Sequence, residues 1–185
     1  MVAMIARSVE DTSADGLVVM HDVSWEAFEA FLTKRGESRP RVTYLEGTLE
    51  LMSPSQNHEI IRRYFAAVVD EYLDHLGIVW QGAGAWLLKN APKEAGLEPD
   101  ECYIFDDPKK ERPDLAIEVV WTSGGINKLE IYRRLRIDEV WFWKDQVLTV
   151  YGLGSEGYEV RERSAHVPEL DVALLCKLSE LEPLN

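Results

Sequence analysis

Apolar positions recur along the chain at two different periods, and the switches between them mark out its elements. Ser24 precedes Trp25, Phe28, Phe31 and Leu32, a spacing of three and four that predicts an N-capped helix over residues 25–34. Gly36 and Pro40 break that pattern, and RVTYLEGTLELMS then reads as a hairpin turning at Glu46-Gly47. Pro54 and Ser55 open a long helix that stops at Gly77, with Ile61, Phe65, Val68, Tyr72 and Leu76 as its buried stripe. Beyond Gly77 come short β-rich runs: IVW (78–80), AWLL (85–88), CYIF (102–105) and LAIEVVW (115–121). Thr122-Ser123-Gly124-Gly125 turns the chain into a second amphipathic helix over 127–136, with Ile126, Leu129, Tyr132 and Leu135 facing inward. Strands follow at EVWFW (139–143), VLTVYGL (147–153) and 158–161, before a closing segment at 170–181. Helix, strands, helix, strands is the order of an α/β fold whose sheet is covered by helices on both faces. The aromatic run EVWFW, if exposed, would need a covering partner, so a homodimer is expected.

One acidic residue contradicts its surroundings. In LAIEVVW, Glu118 interrupts a strand that otherwise reads as buried on both faces. A carboxylate there costs several kcal/mol unless a cation or metal compensates it, or unless it reaches solvent or an arginine. Two Pro-Asp dipeptides lie upstream, at Asp100 and Asp114. Asp114 sits four residues before Glu118, about 13 Å along one strand, too far to share an ion and better read as a strand-entry residue with a local bond. Asp100 opens a different run, which as a neighbouring strand could bring it beside Glu118. Two such carboxylates can hold Mg²⁺ or Mn²⁺, and a water bound there can attack phosphorus. Lys128, taken alone, is a first-turn helix residue in solvent, whereas His58 shares the inward stripe of its helix. Glu46 occupies a hairpin turn, where a solvated glutamate is the default.

Taken together, Pro99-Asp100, Glu118 and Lys128 resemble the PD-(D/E)XK nuclease superfamily. More narrowly, EGTLELMSP followed by His58, then EPDECYIF, RPDLAIEVVWTSGG and KLEIYRRLRIDEVWFW, resemble the Uma-two family of bacterial endonucleases. The resemblance implies a restriction-endonuclease-like domain: a central mixed β-sheet flanked by α-helices, hydrolysing phosphodiester bonds of DNA. It implies Asp100 and Glu118 as metal ligands, Lys128 as the catalytic lysine, and Glu46 and His58 close to the metal. The superfamily's usual lysine, two positions after the glutamate, is Val120 here, and Lys128 on the next helix takes its place.

Bulk properties refine this picture. A chain of 185 residues fits one domain, read as 21–185 behind a flexible leader over 1–20. No apolar run approaches the roughly 18–20 residues of a membrane span, so a cytoplasmic protein is expected. Cys102 and Cys176 show no metal spacing and read as buried, inert thiols. The net charge of −13 runs against phosphate binding. Basic residues are nevertheless gathered, in KKER (109–112) and along the helix with Lys128, Arg133, Arg134 and Arg136. Two rival readings stay open: a nuclease fold that binds without catalysis, and a hydrolase of small phosphoesters.

Overall fold

The computed structural model describes residues 4–6, 14–36, 39–120 and 125–179. Its helices start where small polar side chains satisfy the free N–H groups of a first turn. The Ser24 hydroxyl accepts from the Ala27 N–H at 3.2 Å and opens α1 (Trp25–Arg35). Ser55 does the same for the His58 N–H at the head of α2 (Gln56–Leu76), which Gly77 ends in the left-handed region at φ 65°. Asn127 caps α3 (Lys128–Leu135), and α4 (Val172–Ser179) lies near the far end. The buried face of α2 is His58, Phe65, Val69 and Leu73. It drifts one position from the stripe read in the sequence, leaving Leu76 exposed.

Among the described residues the strands form two sheets rather than one. The first holds β1 (Met4–Ala6), β2 (Gly16–Met20), β3 (Arg41–Leu45), β4 (Thr48–Ser53), β6 (Leu88–Asn90) and β7 (Ala95–Leu97). Its order is β1-β2-β4-β3-β7-β6, antiparallel throughout. The second holds β5 (Trp80–Gly82), β8 (Glu101–Phe105), β9 (Leu115–Val120), β10 (Glu139–Lys144), β11 (Val147–Leu153) and β12 (Tyr158–Arg161). Its order is β12-β11-β10-β9-β8-β5, mixed because β9 and β10 run parallel. Parallel neighbours need a crossover, and α3 supplies it. Of the turn expected at 122–125, residues 122–124 lie outside the described residues. Part of the expected leader is sheet: β2 pairs with β4 from Gly16↔Ser53 to Met20↔Leu49.

Three apolar clusters tie these layers together. Phe28 and Leu32 of α1 pack on Val42, Tyr44 and Leu49 of the first sheet. Phe65, Val69 and Leu73 of α2 pack on Ile117, Trp141 and Val150 of the second. Ile131 and Tyr132 of α3 sit between Leu97 of one sheet and Ala116 and Val140 of the other. EVWFW is therefore an internal strand between β9 and β11, with Trp141 at 0% exposure. The ground for expecting a homodimer, an exposed aromatic strand, does not hold.

A buried carboxylate secures β10. Glu139 accepts from Trp141 Nε1 at 2.7 Å, from the Ser164 hydroxyl at 2.5 Å and from the Ala165 N–H at 2.7 Å. Glu139→Ala would strand three donors, each costing about 1–3 kcal/mol. A loss of at least about 3 kcal/mol in urea unfolding is expected, and a loss under about 1 kcal/mol would show that the network is not structural.

Candidate active site

Asp100 stands where the chain leaves the first sheet at β7 and enters the second at β8. The β8–β9 register pairs Glu101 with Ile117, so its continuation sets Asp100 across from Glu118. Both are sealed from solvent, Asp100 at 1% exposure and Glu118 at 0%. The Asp100 carboxylate accepts the Val119 N–H at 2.6 Å, which joins the two strands at this point.

Strand alternation directs Glu118 to the face it shares with Ala116, the face covered by α3. There Lys128 Nζ donates to one carboxylate oxygen at 2.6 Å, and the Tyr132 hydroxyl donates to the other. Lys128 and Tyr132 are four residues apart, one turn of α3, so a single helix face presents both to Glu118. Burial, and after it the Glu118 charge, push the Tyr132 phenol well above its ordinary pKa, so it stays a donor. The Lys128 side chain keeps 22% exposure, a path from the buried glutamate to the surface.

A second chain of bonds approaches Asp100 from α2. His58 Nε2 lies 2.8 Å from Asp100 Oδ1, and His58 Nδ1 lies 2.9 Å from Asp15 Oδ2. Asp15 also accepts the Ser55 N–H at 2.8 Å. Burial works to raise the Asp15 carboxyl, but its bonds to His58 and Ser55 outweigh that and hold it below its ordinary 3.8. A depressed carboxyl contributes stability that is present above its unfolded pKa and lost as pH falls through the folded one. Asp15→Asn should therefore flatten the acid limb of the stability curve below about pH 4. An acid limb as steep as the parent's would remove Asp15 from that role.

Arg41 completes the group. Its guanidinium contacts the Asp100 carboxylate and reaches Glu59 at 3.3 Å. Burial lowers the Arg41 pKa, against the raising pull of Glu59 and Glu118. A cleft of about 560 Å³ is lined by Arg41, Glu50, Lys128 and Lys144. A smaller one of about 310 Å³ is lined by Asp100 with Arg35, Arg39, Arg41 and Arg62. Arg41 and Glu98 line both.

Four of the five residues singled out in the sequence, Asp100, Glu118, Lys128 and His58, thus meet at the seam of the two sheets. Glu46 stands apart, exposed at the β3–β4 turn and paired with Arg134 at 2.6 Å. Asp114 makes local bonds, to the Phe105 N–H and to Lys110, each at 2.8 Å. Asp15, Arg41 and Glu50 join the seam without having been singled out in the sequence. Glu50 is buried on β4 and accepts from the Gly125 and Ile126 N–H groups at 2.6 and 2.9 Å, holding the approach to α3. Its signal was the same as that of Glu118, an acid inside an otherwise apolar strand.

Among the described residues no group of three His, Cys, Asp or Glu side chains is placed to hold a metal ion. The profile of the Uma2 family, whose description is "Putative restriction endonuclease", matches residues 25–181. The chain belongs to the Uma2 family. No curated protein matches the chain significantly. Membership places this Uma2 protein in a nuclease class of mixed α/β fold. Among the described residues no helix is long and apolar enough to cross a membrane.

Proposed function

We propose that this Uma2 protein is a metal-dependent endonuclease that hydrolyses phosphodiester bonds of DNA, with its centre at Asp100, Glu118 and Lys128. The observation that carries the reading is Glu118, a fully buried carboxylate bonded by the one lysine that reaches it from α3. A purely structural glutamate at that point of an apolar strand would cost more than a valine. Asp100 lies across the register from it.

The donor set fits Mg²⁺ or Mn²⁺. Both groups are hard carboxylate oxygens, and Mg²⁺ takes one or two carboxylates while keeping several waters. Each carboxylate has about four lone-pair sites; Lys128 and Tyr132 occupy two on Glu118, and Val119, His58 and Arg41 contact Asp100, so acceptor capacity remains on both, more of it on Glu118. When bound, such an ion supplies Lewis-acid polarisation of the phosphoryl group and acidifies a water. The chain's own groups do the positioning. Lys128 brings a mobile ammonium to the cleft wall, where it can leave Glu118 for a phosphate oxygen as charge builds there. Tyr132 holds the far oxygen of Glu118 and fixes the carboxylate's rotation. His58, oriented by Asp15, and Arg41 do the same for Asp100.

Incubating the protein with supercoiled plasmid and, separately, with a chromogenic phosphodiester tests the reading. Plasmid nicking or linearisation is expected with Mg²⁺ or Mn²⁺ and none with EDTA. Turnover of the small ester without plasmid cleavage would assign a phosphoesterase instead, and metal-independent nicking would remove the carboxylates from the mechanism.

A further inference from the structure

The two basic stretches that stand far apart in the sequence meet in one groove. This groove, of about 830 Å³, takes Lys110 and Arg112 from the loop before β9, and Arg134 and Arg136 from the end of α3. Lys89 and Lys93 line it from β6 and the turn that follows, against three acids, Glu111, Asp114 and Asp138. Six positive and three negative side chains line it, in a chain whose net charge is −13, and Glu29, outside the lining, pairs with Lys89 at 2.6 Å. Lys110 and Arg134 are committed to Asp114, and to Glu46 and Glu130, so they hold the walls in place. Arg112 and Arg136 are exposed and have no ion-pair partner among the described residues.

The groove also has a fixed relation to the proposed centre. α3 carries Lys128 at its first residue, and Arg136 follows its last. At about 1.5 Å per residue the two stand roughly 12 Å apart. One strand of a duplex advances about 3.4 Å per phosphate, so that interval is roughly three or four nucleotides. The helix is a strut between a hydrolytic end and a cationic end.

We infer that this groove is a docking surface for the phosphate backbone of duplex DNA, with Arg112 and Arg136 as its phosphate contacts. The choice of DNA rests on the nuclease reading; the choice of surface rests on two exposed arginines without an ion-pair partner among the described residues, Arg112 and Arg136, and on the distance of Arg136 from Lys128. The acidic remainder of the surface repels the duplex elsewhere, so a local cationic groove also sets where it lands.

Fluorescence anisotropy of a short labelled duplex, titrated with the full chain in Ca²⁺ over a range of salt, tests this. Loss of two phosphate contacts should lower the slope of log affinity against log salt by about 1.8. At about 0.1 M salt Arg112→Ser/Arg136→Asn should bind roughly 10- to 60-fold more weakly. In Mg²⁺ its plasmid cleavage should show a raised KM and a parental kcat. Arg161→Ser/Arg163→Ser, the same charge change on another surface, should bind as the parent does. Affinity of the groove variant within about twofold of the parent, an unchanged salt slope, or a parent that binds no duplex would overturn the inference. A parent that cleaves while the groove variant binds normally defeats the groove alone. A parent that binds through the groove but cleaves nothing defeats the nuclease reading alone.

Discussion

Glu118→Gln should abolish plasmid cleavage, by at least about 10³-fold, while leaving the protein as stable as the parent or slightly more stable. The two effects have one cause. Glu118 is a charge at 0% exposure inside a strand, and an amide of equal shape removes its desolvation cost. The amide oxygen can still accept from Lys128, and its NH₂ can donate to the Tyr132 oxygen. Lys128 keeps its route to solvent, so no stranded cation is left behind. What the amide cannot do is bind a divalent ion as a carboxylate does. Urea unfolding and plasmid cleavage on the same preparation read both quantities. Parental cleavage, or a stability loss above about 3 kcal/mol, would make Glu118 a structural ion-pair residue and nothing more.

Asp100→Asn should eliminate calorimetric Mg²⁺ binding, and Asp114→Asn should leave it intact. The two aspartates look alike in sequence, each following a proline, yet their partners differ. Asp114 is spent on Lys110 and the Phe105 N–H, at the opposite end of β9 from Glu118. Its loss should lower stability by about 1–3 kcal/mol without touching the metal. Asp100 shares the seam with Glu118, and its replacement leaves Arg41 and His58 facing a neutral amide. Mg²⁺ binding by Asp100→Asn with parental affinity would transfer the ligand role to another carboxylate, with Glu50 the first to try.

Much of the frame was legible because local rules and tertiary packing agree. Ser24 and Ser55 cap the helices that their sequence positions predict, Asn127, expected as the first residue of its helix, is the cap of α3, and Glu46-Gly47 makes the turn. Glu118 was legible because an acid breaks an apolar run, and Asp100 because the spacing allows an adjacent strand. What escaped were long-range decisions. Nothing in the sequence around Asp15 announces that it will be buried against a histidine 43 positions away. Arg41 opens a strand like any arginine at a strand end, and only the crossing between sheets at Asp100 gives it a buried partner. Glu46 was a candidate only through the family resemblance; its place at the hairpin turn pointed to solvent, and there it pairs with Arg134, whereas Glu50, four residues on, faces the cleft. The split into two sheets was unreadable because it depends on β7 pairing with β3 rather than with its neighbour in sequence, β8.

Lys128 is the residue on which the nuclease reading most depends, because it lies ten residues past Glu118 instead of two. β9, α3 and β10 form the crossover that brings α3 back over the sheet, and its first residue reaches the strand's buried acid. Initial rates of supercoiled-plasmid cleavage by the parent and by Lys128→Ala, at saturating Mg²⁺ and with folding checked by circular dichroism, measure this directly. A catalytic Lys128 requires a folded variant that binds Mg²⁺ but cleaves about 10²- to 10³-fold more slowly, with Lys128→Arg recovering part of the rate. A folded Lys128→Ala protein that cleaves at the parental rate would refute that role.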